Sequence, residues 1–325
     1  TDMQPDLVWI KNRDATDAHC LFDACRGATY LSVVNDEETV EAVDADTLDS
    51  FTSDGFQVDA DVKVNTNNEK YVAWCWKAGG GAGSSNTVGT INTTTTSVNT
   101  TSGVSISTYT GNGVNTTIGH GIGIAPRMVW CKRRTVAGYG YAVLHMGNTS
   151  AGETERLYLN DSPATSDTAE FWNDTAPTTT LVTLGVQALV NADTKTYTMY
   201  SFAPVQGFSK FGSYTGNGNA DGTFIYCGFR PAYVFVKKTS GTGQWTQWDN
   251  KRHPINRGDN TSSGLALNTT AVEATDEVMS LDFLSNGFKM RDTQVDRNGS
   301  GTTNIFAAFA EAPFVNSNGV PCNAR

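Results

Sequence analysis

The side chains able to act as acid, base or nucleophile are few in this sequence, and their spacing matches no common catalytic arrangement. The four histidines are His19, His120, His145 and His253. No Gly-x-Ser-x-Gly motif is present, and no serine or cysteine is paired with a histidine at a recognisable spacing. We therefore expect no catalytic triad and predict that the protein is not an enzyme.

Paired carboxylates are the second arrangement to consider, because glycoside hydrolysis needs two acids that converge in a cleft. No strand carries Glu-x-Asp-x-x-Glu, which would place such acids on one face. One acidic stretch offers oxygen ligands for Ca²⁺ but lacks EF-hand spacing, so we favour a solvated acidic surface. Its members are Asp44, Asp46, Asp49, Asp54, Asp59 and Asp61. We predict no bound metal and no cofactor.

The cysteines form no Cys-x-x-Cys pair and match no zinc signature. Cys75, Cys131 and Cys227 lie inside apolar runs that resemble strands, where a cysteine behaves as a small buried hydrophobe. The others are Cys20, Cys25 and Cys322. We expect free, buried thiols rather than disulfides, which fits synthesis in a reducing cytosol.

The composition limits the kinds of partner. The chain has 325 residues and a formal net charge of −10, so it lacks the basic footprint that nucleic-acid binding requires. No run of 18 apolar residues occurs. We therefore predict no nucleic-acid partner and no membrane insertion.

The pattern along the chain is that of an all-β protein. Short β-branched and aromatic runs alternate with clusters of Gly, Asn, Asp, Ser and Thr, as is typical of antiparallel sheets with many turns. Asn112-Gly113 and Asn217-Gly218 indicate tight turns, because both residue types tolerate positive φ. The one segment that we expect to be helical is Glu37 to Leu48.

An internal repeat divides the chain into three units. Its first block is a strand that begins with proline and ends with lysine, and the copies are Pro5–Lys11, Pro126–Lys132 and Pro231–Lys237. Its second block matches Phe51–Phe56 with Phe283–Phe288, and Leu181–Val186 is a weaker middle version. Its closing strand aligns Trp76, Phe202 and Phe309. The predicted boundaries are 1–78 for unit 1, 79–103 for a Gly/Thr-rich linker, 104–205 for unit 2, 208–314 for unit 3 and 315–325 for a C-terminal tail.

Unit 1 lacks one strand of the repeat. Units 2 and 3 open with a strand that runs into Tyr109–Gly113 and Tyr214–Gly218, both Tyr-Thr-Gly-Asn-Gly. An unpaired strand edge is a liability in an isolated unit. We expect truncation from a longer chain, and donation of the strand by a neighbouring molecule is the alternative.

Exposed tryptophan rings are candidate platforms for sugars, whose apolar C–H faces pack on aromatic rings. The repeat assigns most of the tryptophans to core positions, by alignment or by their place on the closing strand: Trp9, Trp74, Trp76, Trp130 and Trp248. Trp245, beside the Gly241–Gly243 turn, and Trp172 remain. We predict a glycan site at Trp245, Trp172, Asn173 and Asp174. Packing in the core is the alternative for both rings, and it is the commoner role of a single tryptophan.

A set of motifs spread over almost the whole chain occurs together. They are Pro5–Arg13, Leu21–Asp23, Arg26-Gly27, Tyr71–Gly79, Val98–Thr101, Tyr109–Gly113, Gly119–Pro126, Trp172–Pro177 and Phe283–Phe288. Together they resemble a domain family found repeatedly in virion proteins of marine tailed bacteriophages. The resemblance implies tandem antiparallel β-sandwich domains of the concanavalin-A-like (lectin/glucanase-type), jelly-roll class.

The resemblance implies a location more directly than a chemistry. We expect a bacteriophage virion structural protein, a tail-fibre or tail-tip adhesion module that contacts host-surface glycan. The alternatives are a capsid decoration or head-fibre protein with a purely structural role, and a glycan-degrading enzyme. The expected partners are sister chains in a homotrimer, other virion proteins and host-surface glycan. The expected location is the virion surface, after assembly in the host cytoplasm.

Overall fold

The computed structural model describes residues 3–36, 40–252, 256, 264–274 and 279–311. Its strands pair antiparallel throughout, which confirms the predicted all-β class of the sandwich type. Each unit contributes a larger sheet, here called its inner sheet, and a smaller outer sheet of two or three strands. The described residues of each unit therefore follow one plan, a sheet covered on both faces.

Unit 1 has the inner sheet order β4-β3-β2-β1-β7 and the outer hairpin β5-β6. Its strands are β1 (Leu7–Asn12), β2 (Cys20–Asp23), β3 (Gly27–Val33), β4 (Ala42–Val43), β5 (Leu48–Thr52), β6 (Gly55–Val58) and β7 (Tyr71–Trp76). A short helix, α1 (Val62–Asn65), precedes the closing strand β7 and is capped by the Asp61 carboxylate.

Unit 2 has the inner order β14-β13-β12-β11-β16-β9-β8 and the outer pair β10-β15. Its strands are β8 (Thr95–Asn99), β9 (Val104–Thr110), β10 (Thr116–Gly119), β11 (Met128–Arg133), β12 (Tyr141–His145), β13 (Glu155–Tyr158), β14 (Ser166–Asp167), β15 (Leu181–Leu184) and β16 (Thr196–Phe202). Its short helices are α2 (Ala169–Trp172) and α3 (Ala188–Asn191). Strand β8 pairs with β9, so the Gly/Thr-rich stretch 79–103 supplies a strand to this sheet.

Unit 3 has the inner order β17-β24-β19-β20-β21 and the outer order β18-β23-β22. Its strands are β17 (Ser209–Thr215), β18 (Phe224–Tyr226), β19 (Tyr233–Lys238), β20 (Trp245–Asp249), β21 (Leu265–Ala266), β22 (Leu281–Leu284), β23 (Gly287–Met290) and β24 (Thr303–Phe309). The strands that open with the repeat's proline, β1, β11 and β19, lie inside their inner sheets, next to the closing strands β7, β16 and β24.

One central core joins the three units. The aligned residues Trp76, Phe202 and Phe309 form a closed triangle, with ring centroids 6.5, 6.0 and 5.7 Å apart. Trp130 lies 6.0 Å from Trp9 and 6.1 Å from Phe235, its counterparts in the other two units. The core positions predicted from the repeat are thus confirmed, and the surface that each inner sheet buries here faces the other two units.

The opposite face of each inner sheet packs against that unit's own outer layer. Phe22, Leu144 and Trp248 occupy one aligned position and are fully buried in three separate outer cores. Because successive strand residues point to opposite faces, each inner strand is buried on both sides. This explains the nearly continuous burial of β1, β11 and β19.

Two local predictions are wrong. Residues 40–48 of the expected helix contain β4 and the start of β5 instead, while Glu37, Glu38 and Thr39 lie outside the described residues. β-branched Val40, Val43 and Thr47 favour this extended backbone. The middle copy of the second block is also misaligned: β15 pairs with β10 just as β23 pairs with β18, so Leu181–Leu184 corresponds to β23.

Candidate functional site

The two tryptophans predicted to be exposed are buried. Trp245 is 0% exposed on β20, and its indole Nε1 donates to the Tyr158 carbonyl of unit 2 at 2.7 Å. Trp172 is also 0% exposed, at the end of α2 in the outer core of unit 2. The expectation of exposure is therefore wrong for both rings, and the packing alternative is confirmed. Neither ring is available to stack on a sugar.

The two polar residues predicted beside Trp172 form the turn that ends α2. Asn173 and Asp174 both have positive φ, 50° and 47°, and Asn173 is half-buried while Asp174 is exposed. The Asn173 Oδ1 accepts a 2.7 Å hydrogen bond from Asn115 Nδ2. Their backbone shape accounts for the Asn-Asp sequence, since these side chains tolerate the left-handed region.

Trp245 belongs to a repeat position that connects neighbouring units. Its counterparts are His19 and Tyr141. Each of the three contacts a strand of the preceding unit, where unit 3 counts as preceding unit 1: Trp245 contacts β13, Tyr141 contacts β3 and His19 contacts β21. Tyr141 Oη lies 2.6 Å from Ser32 Oγ, and His19 Nε2 lies 3.1 Å from the Ala266 carbonyl. Trp245 lies eight residues after Lys237, as His19 lies eight residues after Lys11, and this equal spacing is the sequence signal for their shared role.

A second repeat position contacts the following unit instead of the preceding one. Asp23 accepts a 2.7 Å bond from Tyr200 Oη, and Asp249 accepts a 3.0 Å bond from Trp74 Nε1. His145, the equivalent residue of unit 2, lies 3.0 Å through Nε2 from the Phe306 carbonyl. Each residue therefore contacts the closing strand of the next unit in the order 1, 2, 3 and back to 1.

Buried ion pairs reinforce two of the three junctions. Arg26 bonds to Asp23 and, at 3.0 Å, to Glu41, which also binds Arg134 of unit 2 at 2.7 Å. The second network is built alike, with Arg252 bonded to Asp249 and Glu273, and Glu273 bonded to Arg13 of unit 1. The buried carboxylates of Asp23 and Asp249 thus serve the junctions between units.

Burial of two histidines predicts sensitivity to acid. Burial lowers the pKa of His19 to about 3 and that of His145 to about 4, below the usual 6.5. Between these values and 6.5 the unfolded chain binds more protons, so stability falls as the pH is lowered. Each histidine contributes up to about 1.4 kcal/mol per pH unit.

Urea unfolding from pH 7 to 5 measures this loss of stability. A His145→Gln variant can still donate a hydrogen bond to the Phe306 carbonyl. It should reduce the slope of the unfolding free energy against pH by an amount that corresponds to about one bound proton. An unchanged slope would contradict the assignment.

Two exposed aromatic side chains on β18 form a different candidate site. Phe224 and Tyr226 are 45% and 58% exposed, while Ile225 between them is buried. Their two rings therefore project from the same face of the outer sheet of unit 3. Phe224 pairs with Lys289, and Tyr226 pairs with Gly287, where an added Cβ would lie 2.0 Å from the Ile225 carbonyl oxygen. Glycine is therefore required, and no side chain stands opposite the Tyr226 ring.

Charged groups surround these rings. Asp221 bonds to Lys289 and, at 3.3 Å, to Arg291, and the hydrogen bond from Lys289 lowers the pKa of Asp221. The Lys210 Nζ lies 4.9 Å from the centroid of the Tyr226 ring. We call the set Phe224, Tyr226, Asp221, Lys210 and Lys289 the unit 3 outer face. It combines apolar rings with hydrogen-bonding groups, which is the combination that sugars bind.

Within the described ranges, no group of three or more His, Cys, Asp or Glu side chains is placed to hold a metal ion. Cys20, Cys25, Cys75, Cys131 and Cys227 are free thiols, as predicted, and Cys322 lies outside the described residues. The expected burial is confirmed for Cys20, Cys131 and Cys227 and is wrong for Cys25 and Cys75, which are half-buried. In the part of the chain that the structure describes, no helix is long and apolar enough to cross a membrane.

A family model described as "Domain of unknown function (DUF7483)" matches residues 1–313. No curated protein and no solved structure matches the chain. The match spans all three units, so the repeat lies within one family domain.

Proposed function

Because the chain belongs to the DUF7483 family, whose description assigns no function, we propose a function from its own residues. The protein is a structural adhesion module of a tailed-bacteriophage virion, and it contacts host-surface glycan through the unit 3 outer face. Its virion location rests on the motif resemblance described above. The glycan contact rests on the exposed Phe224–Tyr226 pair.

The aromatic pair carries the glycan part of the proposal. Among the described residues, the other exposed large apolar side chains are valines and an isoleucine, whereas Phe224 and Tyr226 are aromatic rings that lie side by side in solvent. Gly287 leaves the Tyr226 ring without a facing side chain, and Lys289 and Asp221 offer a donor and an acceptor beside Phe224. A pyranose can pack on the rings while its hydroxyls bond to these groups.

The junctions between units support a structural role. The polar side chains at the aligned positions Asp23, His145 and Asp249 hold one unit against the next. A fold fixed in this way presents the unit 3 outer face in one orientation. On a particle carrying several copies, weak individual sugar contacts add through avidity.

Substitution of the aromatic pair tests the proposal. Tyr226→Ala should weaken binding to host-envelope polysaccharide, on a glycan array or to whole cells, by about tenfold, and Phe224→Ala should act similarly. Tyr139→Ala is the matched control, because Tyr139 packs under Arg133 as Tyr226 packs under Lys210 but lies in unit 2. Unchanged binding in the Tyr226 and Phe224 variants would refute this glycan site. Absence of glycan binding, with specific binding to capsid protein, would favour the decoration alternative.

A further inference from the structure

Among the residues that the structure describes, the closing strand of unit 1 has an open edge that its counterparts do not have. In unit 2, β16 pairs on one side with β11 and on the other with β9; in unit 3, β24 pairs with β19 and β17. In unit 1, β7 pairs with β1 and is the last strand of its sheet among the described residues. The difference shows in burial: Ala73 is exposed, whereas its counterpart Met199 is fully buried.

A cavity of about 470 Å³ follows this open edge. Every residue from Val72 to Lys77 contributes to its lining. Because consecutive strand residues point to opposite faces, a cavity lined by all of them runs along the edge of the strand. Phe208, Tyr233 and Phe309 of unit 3 also line it. The space therefore has an apolar wall and an unpaired strand edge, the two surfaces that an added strand uses.

Within the described residues, the outer sheet of unit 1 also has one strand fewer than that of unit 3. In unit 3, β18 pairs with β23; the corresponding hairpin of unit 1 ends at β6, which is an edge within the described residues. Phe283 and Phe288 of unit 3 are buried, but their counterparts Phe51 and Phe56 remain half-buried. In unit 3 the two strands concerned, β17 and β18, are consecutive in sequence, so one segment fills both places.

In units 2 and 3, the same two hydrogen bonds made by a buried asparagine hold the turn between these strands. Asn191 Nδ2 donates to the Val114 carbonyl and its Oδ1 accepts from Asn112 N; Asn298 makes the same pair of bonds with Asn219 and Asn217. Each asparagine lies six residues before the matched position of its closing strand, as Asn65 lies before Tyr71. Asn191 and Asn298 are fully buried, and Asn65 is exposed. We call the asparagine at this position the clamp residue. Unit 1 has the clamp residue Asn65, but within the described residues no turn is bound to it.

We propose that unit 1 is an acceptor for an opening segment of the same sequence type as those of units 2 and 3. The segment consists of a strand along β7, a Thr-Gly-Asn-Gly turn held by Asn65, and a strand along β6. In units 2 and 3 this segment precedes the repeat's proline at a fixed spacing, because Thr110 lies 16 residues before Pro126 and Thr215 lies 16 residues before Pro231. This proposal is independent of glycan binding at unit 3.

Grafting tests the proposal directly. Residues 208–230, which end immediately before Pro231, are fused to Pro5 in place of residues 1–4, so that the native spacing is kept. We expect the thermal midpoint to rise by about 5 °C or more. Hydrogen exchange of the peptide containing Tyr71–Trp76 should slow by about 100-fold or more, since its edge amides become paired. A graft of the same composition in scrambled order is the control.

Substitution of the clamp residue separates pairing from general stabilisation. In the graft, Asn65→Ala should remove most of the rise in midpoint, whereas Asn67→Ala, at an exposed asparagine two residues away, should not. In the ungrafted chain, Asn65→Ala should leave the midpoint unchanged. If the grafted chain does not fold, a peptide of residues 208–226 is added to the 325-residue chain instead. Hydrogen exchange of the β7 amides should then slow, and the effect should saturate as the peptide concentration rises.

Two results would overturn the proposal. The first is that neither the graft nor the peptide protects the β7 amides. The second is concentration-dependent protection of β7 in the unmodified chain together with dimer formation, which would identify a second copy as the occupant of the edge.

Discussion

Replacing Trp245 with alanine is expected to destabilise the protein by about 3–5 kcal/mol, because it removes a fully buried indole from the central core. The variant also leaves the Tyr158 carbonyl of unit 2 without the donor that binds it at 2.7 Å. Chemical denaturation monitored by circular dichroism measures the change in unfolding free energy.

Two further variants separate the contributions at this position. Trp245→Phe keeps most of the packing and loses the hydrogen bond, so it should cost less than alanine does. Tyr226→Ala, at an aromatic residue 58% exposed, should change stability by no more than about 0.5 kcal/mol. Full stability in Trp245→Ala would contradict the buried position.

Replacing Arg26 with methionine is the second substitution with a large expected effect. Arg26 is bonded to Asp23 and Glu41, and the side chains of all three are less than 10% exposed. Removing one partner leaves the carboxylates buried without compensation, which typically costs about 3–5 kcal/mol. Because Glu41 also binds Arg134, the contact between units 1 and 2 should loosen first, and hydrogen exchange of β3 and β12 would report it.

The control for Arg26 is an ion pair at the surface. Lys70 and Asp14 lie 3.5 Å apart with side chains 69% and 37% exposed, so Lys70→Ala should cost less than about 1 kcal/mol. Equal effects of the Arg26 and Lys70 substitutions would show that the buried network does not hold the junction.

Much of the fold could be predicted from the repeat. Alternation on the closing strand identified Trp76, Phe202 and Phe309 as inward-facing, and alignment gave the same answer for Trp9 and Trp130. The partners of these residues could not be predicted. A pattern of alternate apolar residues shows that a face is buried, but it is the same whether the face packs on its own unit or on two others. The shared central core is for this reason visible only in the structure.

The candidate site could be predicted less well, for two physical reasons. Trp245 was expected near the surface because it follows a glycine-rich turn, yet β20 begins at that residue and turns it inward. Phe224 and Tyr226 alternate with Ile225, so the sequence alone does not decide which face of β18 is buried. The outer sheet buries Ile225 against its core, and this choice depends on the pairing of β18 with β23.

The arrangement of three repeats around one core is the central structural claim, and differential scanning calorimetry of residues 1–325 tests it most directly. Because the triangle of Trp76, Phe202 and Phe309 takes one ring from each unit, no unit can unfold without exposing the core of the others. We predict a single transition whose calorimetric enthalpy equals the van't Hoff enthalpy. Two or three resolved transitions, each with its own enthalpy, would contradict the claim.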